Sequence, residues 1–180
     1  MISLNYTITE QEYKDFYYFI GWLSPERRSY RLKYYFTSYA WYFGLMILLF
    51  ILTDIPLDLK LLIVLLAITV LWYFYSNWKL KRHFYKYGQK AYDDSDKENS
   101  EMTISESGII AKSKDSDAHY KWSAFTKKYE TDTAFYLLMS TNIGLIIPKR
   151  VFNSTAQKES VEKIFSQYLP LQADLPGIRN

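Results

Sequence analysis

Two long apolar runs flank a short polar turn in the stretch LMILLFILTDIPLDLKLLIVLLAI, residues 45–68. The first charge-free run covers residues 34–53, which is 20 residues, and the second covers residues 61–78, which is 18 residues. A helix of about 20 residues crosses the hydrocarbon core of a bilayer. A soluble helix keeps a polar face, and residues 45–52 and 61–68 are apolar all round. The stretch therefore predicts two transmembrane helices that form a hairpin.

The charges at the ends of the two runs predict how the hairpin is oriented. Lys and Arg are concentrated before the first run and after the second, whereas the outer turn, residues 54–60, has two Asp and a single Lys. Because segments rich in Lys and Arg stay in the cytoplasm, both termini are predicted to be cytoplasmic. Tyr and Trp crowd the cytoplasmic ends of both runs, for example at Trp41 and Trp78, which fits one aromatic belt.

The N-terminal segment, residues 1–24, predicts a short strand followed by an amphipathic helix. Residues 2–7 alternate loosely, and Thr9 with Glu12 forms a capping box that starts a helix over about residues 10–22. The helix carries rings at Tyr13, Phe16 and Tyr17. We expect the strand to join the sheet of the C-terminal region and these rings to pack against that sheet. A helix lying on the membrane surface is the less favoured alternative, because such helices are rich in Lys and Arg.

The C-terminal half predicts a small antiparallel β domain. An acidic linker, residues 91–100, separates it from the hairpin of residues 25–90. Several β-rich segments follow, interrupted by turns and by a loop at residues 114–119. A helix over about residues 155–169, which begins at Ser154 and Gln157, carries an apolar stripe. We therefore predict a membrane α+β fold, in which a cytoplasmic β domain of residues 101–170 is closed by this C-terminal helix and followed by a tail of residues 171–180.

Composition excludes several kinds of chemistry. The chain has no Cys and only two His, His83 and His119, which excludes disulfides, thiolate catalysis and Cys-based metal sites. The carboxylates near residues 93–96 and 115–117 lack the pattern of a calcium loop, and Gly-rich phosphate loops are absent. The net charge of +3 is too small to indicate nucleic acid. We predict no catalytic residue, no metal, no cofactor and no nucleic-acid partner, and we do not expect an enzyme.

Two groups of residues are predicted to make contacts outside the chain. The cations beside the two spans are expected to contact anionic lipid heads; they are Arg27, Arg28, Arg31, Lys79, Lys81 and Arg82. Trp122, Lys149 and Arg150 form the predicted surface for a protein partner, whose identity the sequence does not give. Small residues such as Gly44 and Ser38 would let helices approach closely. The predicted partners are the lipid bilayer, a protein and a second copy of the chain in a homo-oligomer.

The order of these segments resembles a known family. YTITEQEYKDF near the start, two adjacent spans, and KWSAFTKKYETDTAFYLLMSTNIGLIIPKRVF before a terminal helix are similar to the bacterial YcxB-like proteins. The C-terminal domain of that family is similar to pleckstrin-homology-like folds, a bent antiparallel sheet with one C-terminal helix. The resemblance implies this fold and a multi-pass protein of the bacterial inner membrane. It brings no catalytic residues to this chain.

Two functions remain open from the sequence. The first is a membrane-anchored, non-catalytic interaction or regulatory module with a cytoplasmic pleckstrin-homology-like domain. The alternative is an immunity-type protein that protects the cell against a membrane-acting toxin, since small membrane proteins without catalytic residues suit that task.

Overall fold

The computed structural model describes residues 1–53, 59–95, 100–112, 117–140 and 143–169. The α-helices are α1 (Glu10–Tyr18), α2 (Arg28–Thr53), α3 (Leu59–Asp93) and α4 (Thr155–Tyr168). The strands are β1 (Ile2–Tyr6), β2 (Ser100–Ser105), β3 (Gly108–Lys112), β4 (Asp117–Tyr120), β5 (Lys127–Glu130), β6 (Ala134–Leu138) and β7 (Gly144–Pro148). Most of the predicted outer turn, part of the linker, the start of the 114–119 loop and the tail lie outside the described residues.

The two long helices α2 and α3 confirm the predicted pair of apolar helices. They contain 26 and 35 residues, and both are long and apolar enough to cross a membrane. Each presents one narrow half-buried seam to the other, and the seam residues recur every four positions. They are Tyr42, Met46 and Phe50 on α2, and Leu61, Leu65 and Thr69 on α3. Nearly all of the remaining apolar side chains on the two runs are exposed.

Long polar and aromatic side chains connect α2 to α3. The Tyr35 hydroxyl donates to Oδ1 of Asn77 over 2.5 Å, and Nε1 of Trp72 donates to Oγ of Ser38 over 3.0 Å. Gly44 is exposed, and a Cβ built there would meet nothing within 4 Å. The prediction that Gly44 allows close helix packing was therefore wrong for this hairpin, because bulky rings fill the seam between the helices.

The predicted β domain contains two antiparallel sheets, with strand orders β1–β2–β3–β4 and β5–β6–β7. Strand β1 precedes the helical hairpin in the chain, yet it pairs with β2, which follows the hairpin. Ile2 lies opposite Ile104, and Tyr6 lies opposite Ser100. This pairing confirms that the N-terminal strand joins the C-terminal sheet. The hairpin is thus inserted between two neighbouring strands of one sheet.

Strand β6 is buried on both of its faces. Phe135 and Leu137 belong to the main core, which the four-stranded sheet and α4 complete. The alternate residues of β6, Ala134, Tyr136 and Leu138, belong to a second core that contains Phe16, Phe19 and Ile20 from the N-terminal segment. A strand covered on both faces carries a continuous apolar run in place of an alternating one, which accounts for the sequence AFYLL.

Three local differences from the sequence prediction have physical causes. The helix predicted over residues 10–22 ends its α-helical part at Tyr18 and finishes as a π-helical turn, Phe19–Leu23. Helix α3 continues to Asp93, past the predicted start of the linker, because α1 packs along it. Trp122 lies in a short 3-10 helix, Trp122–Ala124, where a β-rich segment was predicted.

Replacing Phe165 by Ala should destabilise the β region strongly. Phe165 is fully buried, and its ring lies 6.0 Å from Trp122 and 5.7 Å from Phe135. Removing a buried Phe side chain leaves a cavity and costs about 3–5 kcal/mol. Near-ultraviolet circular dichroism, followed during heating of the full chain in detergent, should show a lower transition midpoint. Glu159→Ala on the exposed face of α4 is the control, and an equal loss in both variants would contradict the core assignment.

Candidate functional site

Helix α1 lies between the three-stranded sheet and the end of α3. On the sheet side, the rings of Phe16 and Phe19 lie 5.2 and 5.0 Å from the ring of Tyr136. On the other side, Gly88 of α3 meets α1 so closely that an added Cβ would lie 2.6 Å from the Cα of Lys14. The absence of a side chain at Gly88 therefore permits this contact. Through α1, the β region is packed directly against the helix that carries the second apolar run.

The start of α1 is held by a capping box and by Arg150. Thr9 Oγ1 accepts from the amide of Glu12 over 3.3 Å, and Glu12 Oε2 accepts from the amide of Thr9 over 2.7 Å, which confirms the predicted box. Nε of Arg150, just after β7, donates to Glu12 Oε1 over 2.7 Å. Its Nη2 donates to the carbonyl of Thr7 over 2.7 Å. Hydrogen bonding to Glu12, partly offset by burial, raises the pKa of Arg150, so this clamp stays charged.

The predicted partner surface is largely used inside the fold. Trp122 is 7% exposed, its Nε1 donates to the carbonyls of Ser105 and Glu106, and its ring stacks on Tyr168 at 5.3 Å. The prediction of Trp122 as a surface residue was therefore wrong, because the ring completes the core under α4. Lys149 pairs with Glu130 over 2.6 Å, and Arg150 makes the clamp described above.

Arg27 and Arg31 act as caps within the chain. Nε of Arg27 donates to the carbonyl of Ile20 over 3.4 Å. Nη1 of Arg31 donates to the carbonyl of Ser24 over 2.9 Å and also to that of Trp22. These carbonyls lie at the end of the helical N-terminal segment, where cations are favourable because the last carbonyls of a helix lack helical donors.

The other four predicted lipid-contact cations are exposed. Arg28 and Lys79 are exposed, one at the start of α2 and the other just after the second apolar run. The guanidinium of Arg82 lies 5.3 Å from the ring of Trp78. Lys81 is also exposed, but its Nζ lies over two tyrosine rings. The six cations therefore divide into two that cap the N-terminal segment, one that contacts rings on α1 and α3, and three on the outside.

A cavity of about 350 Å³ lies between α1, α3 and the turn that joins β5 to β6; we call it the α1–α3 cavity. Its lining consists of Gln11, Asp15, Tyr18, Phe19, Leu23, Lys81, Tyr85, Thr131, Asp132, Thr133 and Tyr136. The carboxylate of Asp15 accepts from the Tyr85 hydroxyl over 2.7 Å and from Nε2 of Gln11 over 2.9 Å. Burial, with the nearby Asp15, raises the pKa of Tyr85 to about 12, so its hydroxyl stays a donor.

A second cavity, of about 470 Å³, adjoins the first along α1. The second extends to Lys149 and Arg150, and the residues that line both cavities are Gln11, Asp15, Asp132, Thr133 and Tyr136. Within the described ranges, no group of three or more His, Cys, Asp or Glu side chains is arranged to hold a metal ion. The region combines carboxylates, tyrosines and Lys81 in one groove beside the second apolar run.

Comparison with known protein families finds a similarity in the C-terminal part of the chain. Residues 104–165 match the model of the YcxB-like proteins. The match confirms the predicted resemblance for these residues. This YcxB-like segment runs from the end of β2 into α4, so it contains β3 to β7 and lies outside α1, α2 and α3. Comparisons with curated proteins and with solved structures give no match.

Glu26 ties the start of the first long helix to the YcxB-like segment. It lies in the 3-10 turn Pro25–Arg27, and its carboxylate accepts hydrogen bonds from Lys127 and from the Tyr129 hydroxyl, both on β5. Burial by itself raises the pKa of Glu26, but the hydrogen bonds from Lys127 and Tyr129 outweigh it and lower the pKa to about 2. The YcxB-like segment is thus bonded to the chain just before α2 as well as packed, through α1, against α3.

Sequence reasoning did not single out Asp15, Tyr85 or Tyr136, although all three line the α1–α3 cavity. They lie on α1, α3 and β6, so no local pattern joins them. Two signals were available: the run AFYLL, which lacks the alternation of a half-exposed strand, and Gly88 inside a helical segment rich in aromatic residues. Both indicate that another element covers the strand and the helix.

Replacing Gly88 by Ala should loosen α1 from α3. Alanine favours a helix by about 1 kcal/mol over glycine, but at Gly88 the added Cβ would overlap the backbone of Lys14. We expect Gly88→Ala to lower the thermal midpoint of the full chain in detergent. Gly44→Ala, where the space is open, should keep or raise the midpoint. Equal shifts in the two variants would contradict the close contact.

Glu26→Gln should reduce stability in a pH-dependent way. The pKa of Glu26 is lowered from 4.5 to about 2 in the folded chain, so its ionised form stabilises the fold above the unfolded pKa. The difference in thermal midpoint between the parent chain and Glu26→Gln should be largest above pH 5. It should shrink as the pH falls from about 4.5 towards 2. A difference that does not depend on pH would show that the charge is unimportant.

Proposed function

We propose that the chain is a membrane-anchored, non-catalytic interaction or regulatory module, in which α2 and α3 cross a bacterial inner membrane. The observation that carries the proposal is the exposure of apolar side chains on both helices. Trp41 is 82% exposed, Leu59 is 73% exposed and Ile51 is 71% exposed. Burying apolar surface is worth about 25 cal/mol per Å², and the part of the chain that the structure describes does not cover these residues. A bilayer would cover them.

Strand pairing and charge support the same topology. Because β1 pairs with β2 across the hairpin, the two ends of the hairpin must lie on one side of the membrane. The exposed cations Arg28, Lys79 and Arg82 lie at that side. Since Lys and Arg favour the cytoplasmic face, both termini and the YcxB-like segment would be cytoplasmic. Each of these cations would add about 1 kcal/mol of attraction to anionic lipid heads.

The architecture of the β region supports a pleckstrin-homology-like fold. It consists of antiparallel strands in two sheets, and a single C-terminal helix packs Val161 and Phe165 into the core that they enclose. This arrangement corresponds to the bent sheet and closing helix implied by the family resemblance. Fold likeness alone does not assign a ligand, so the function is argued from the contacts of the chain.

A regulatory role follows from the packing of α1. The helix contacts Tyr136 of the sheet on one side and Gly88 of α3 on the other, while Glu26 is bonded to β5. A partner that shifted the sheet would therefore move both helices at their cytoplasmic ends. For a protein partner, β4 offers a strand edge, since it pairs only with β3 in the described sheets. Strand edges bind peptides by main-chain hydrogen bonds.

Membrane topology is tested by labelling single cysteines, because the chain has none of its own. Lys60→Cys lies at the start of α3, and Ser107→Cys lies in the exposed turn between β2 and β3. An impermeant maleimide added to intact bacteria should label the cysteine at position 60 and should reach that at position 107 only after lysis. The reverse pattern, or labelling of neither site after lysis, would overturn the proposed orientation.

The interaction role is tested by photo-crosslinking in living cells. A photoreactive residue at His119, which is exposed on β4, should give a discrete protein adduct. The same residue at Glu159, exposed on α4, is the control. Adducts at neither site, or equal adducts at both, would count against β4 as the partner edge. The immunity-type alternative stays a prediction, which a toxin gene beside this gene would favour.

A further inference from the structure

The α1–α3 cavity contains a carboxylate, Asp15, that forms no ion pair within the part of the chain that the structure describes, although Lys81 lies in the same lining. Asp15 is half-buried, and its two hydrogen bonds come from neutral donors, the Tyr85 hydroxyl and the Gln11 amide. The neighbouring ammonium of Lys14 is paired with Glu10 instead. Removing a carboxylate from water is costly unless an opposite charge approaches it. Asp15 is therefore placed to gain from a cation that enters the cavity.

The walls of the cavity also favour a cation. Tyr18, Tyr85 and Tyr136 line it, and the face of an aromatic ring attracts an ammonium group. The chain already uses this attraction, since Nζ of Lys81 lies 5.8 Å from the ring of Tyr18 and 5.2 Å from that of Tyr85. Lys81 is exposed and flexible, so its ammonium can leave the rings at little cost.

The remaining polar groups in the lining indicate the sign of the ligand's charge and the hydrogen-bonding groups that it carries. Asp132 is exposed and also lines the cavity, so the lining carries two carboxylates against the single Lys81. An anion would meet both carboxylates, whereas a cation would complement them. Thr133 adds a hydroxyl oxygen that can accept a hydrogen bond. Acceptors arranged beside aromatic faces suit an ammonium that carries N–H donors better than a quaternary one.

We propose that the α1–α3 cavity binds a primary ammonium group, with Asp15 as its counter-ion and the rings of Tyr18 and Tyr85 beside it. The ligand displaces the ammonium of Lys81. The cavity volume of about 350 Å³ accommodates an amine head with a short chain. Lys81 follows the second apolar run by three residues, or about 5 Å of helix, so the ammonium has two sources: a free amine, or an ethanolamine lipid head. Only the lipid source rests on the proposed membrane insertion.

The test uses the full chain in nanodiscs of pure phosphatidylcholine and 1,4-diaminobutane as the probe, with binding measured by calorimetry. Asp15→Asn keeps an acceptor for Tyr85 but removes the charge, so it should weaken binding about tenfold, as expected for loss of a charge-assisted hydrogen bond. Lys81→Met removes the competing ammonium and should strengthen binding. Asp117→Asn, an exposed carboxylate on β4, should change nothing. The opposite signs at positions 15 and 81 separate a binding role from a loss of folding.

Three results would overturn the proposal. These are absence of diaminobutane binding even in Lys81→Met, equal effects of Asp15→Asn and Asp117→Asn, or equal binding of tetramethylammonium, which has no N–H donor. Nanodiscs that contain phosphatidylethanolamine distinguish the two sources. Competition that weakens diaminobutane binding supports the lipid head, and unchanged binding supports the free amine. Failure of the membrane-topology labelling would leave the free-amine arm of this test intact.

Discussion

The pairing of β1 with β2 is the constraint on which the rest of the structure depends. Because the helical hairpin is inserted between these two neighbouring strands, its ends are held together by main-chain hydrogen bonds of a sheet. The segment that leads from β1 into α2 must then cross the β region, and it does so as α1. Helix α1 covers one face of the three-stranded sheet, and its backbone contacts Gly88 of α3. One strand pairing thus accounts for the second core, the extended α3 and the cavity between them.

The contacts between the helical and β parts are of two kinds. Apolar rings on α1 and on the π-helical turn after it, such as Phe16 and Phe19, are buried against the sheet. Charged side chains define the ends: Arg150 holds the start of α1 through Glu12, and Glu26 holds the start of the first long helix through Lys127. Exposed ion pairs contribute little by themselves, so their main effect is to fix register. The burial of α1 stabilises the junction.

Several features were predictable because they depend on neighbouring residues. The capping box at Thr9 and Glu12 and the stripe that carries Val161 and Phe165 on α4 are patterns within one helix. Patterns of neighbouring residues do not predict the contacts of a side chain whose partner lies on a distant element. Trp122 resembles a surface anchor in sequence, but its indole nitrogen finds the carbonyls of Ser105 and Glu106, which lie on another turn. Arg150 resembles a free basic residue, but its partner Glu12 lies at the other end of the chain.

The sequence by itself determined the two apolar helices, the antiparallel strands and the closing helix, because hydrophobic periodicity and charge-free length act locally along the chain. It also predicted that the N-terminal segment forms a strand that joins the C-terminal sheet. Only the tertiary structure decided that α1 also packs against Gly88 of α3 and that Trp122 is internal. It also decided that Asp15, Lys81 and Tyr85 share one cavity. These outcomes depend on which surfaces come into contact once the hairpin has brought distant segments together. Contacts between residues that are far apart in the chain produce no regular spacing in the sequence.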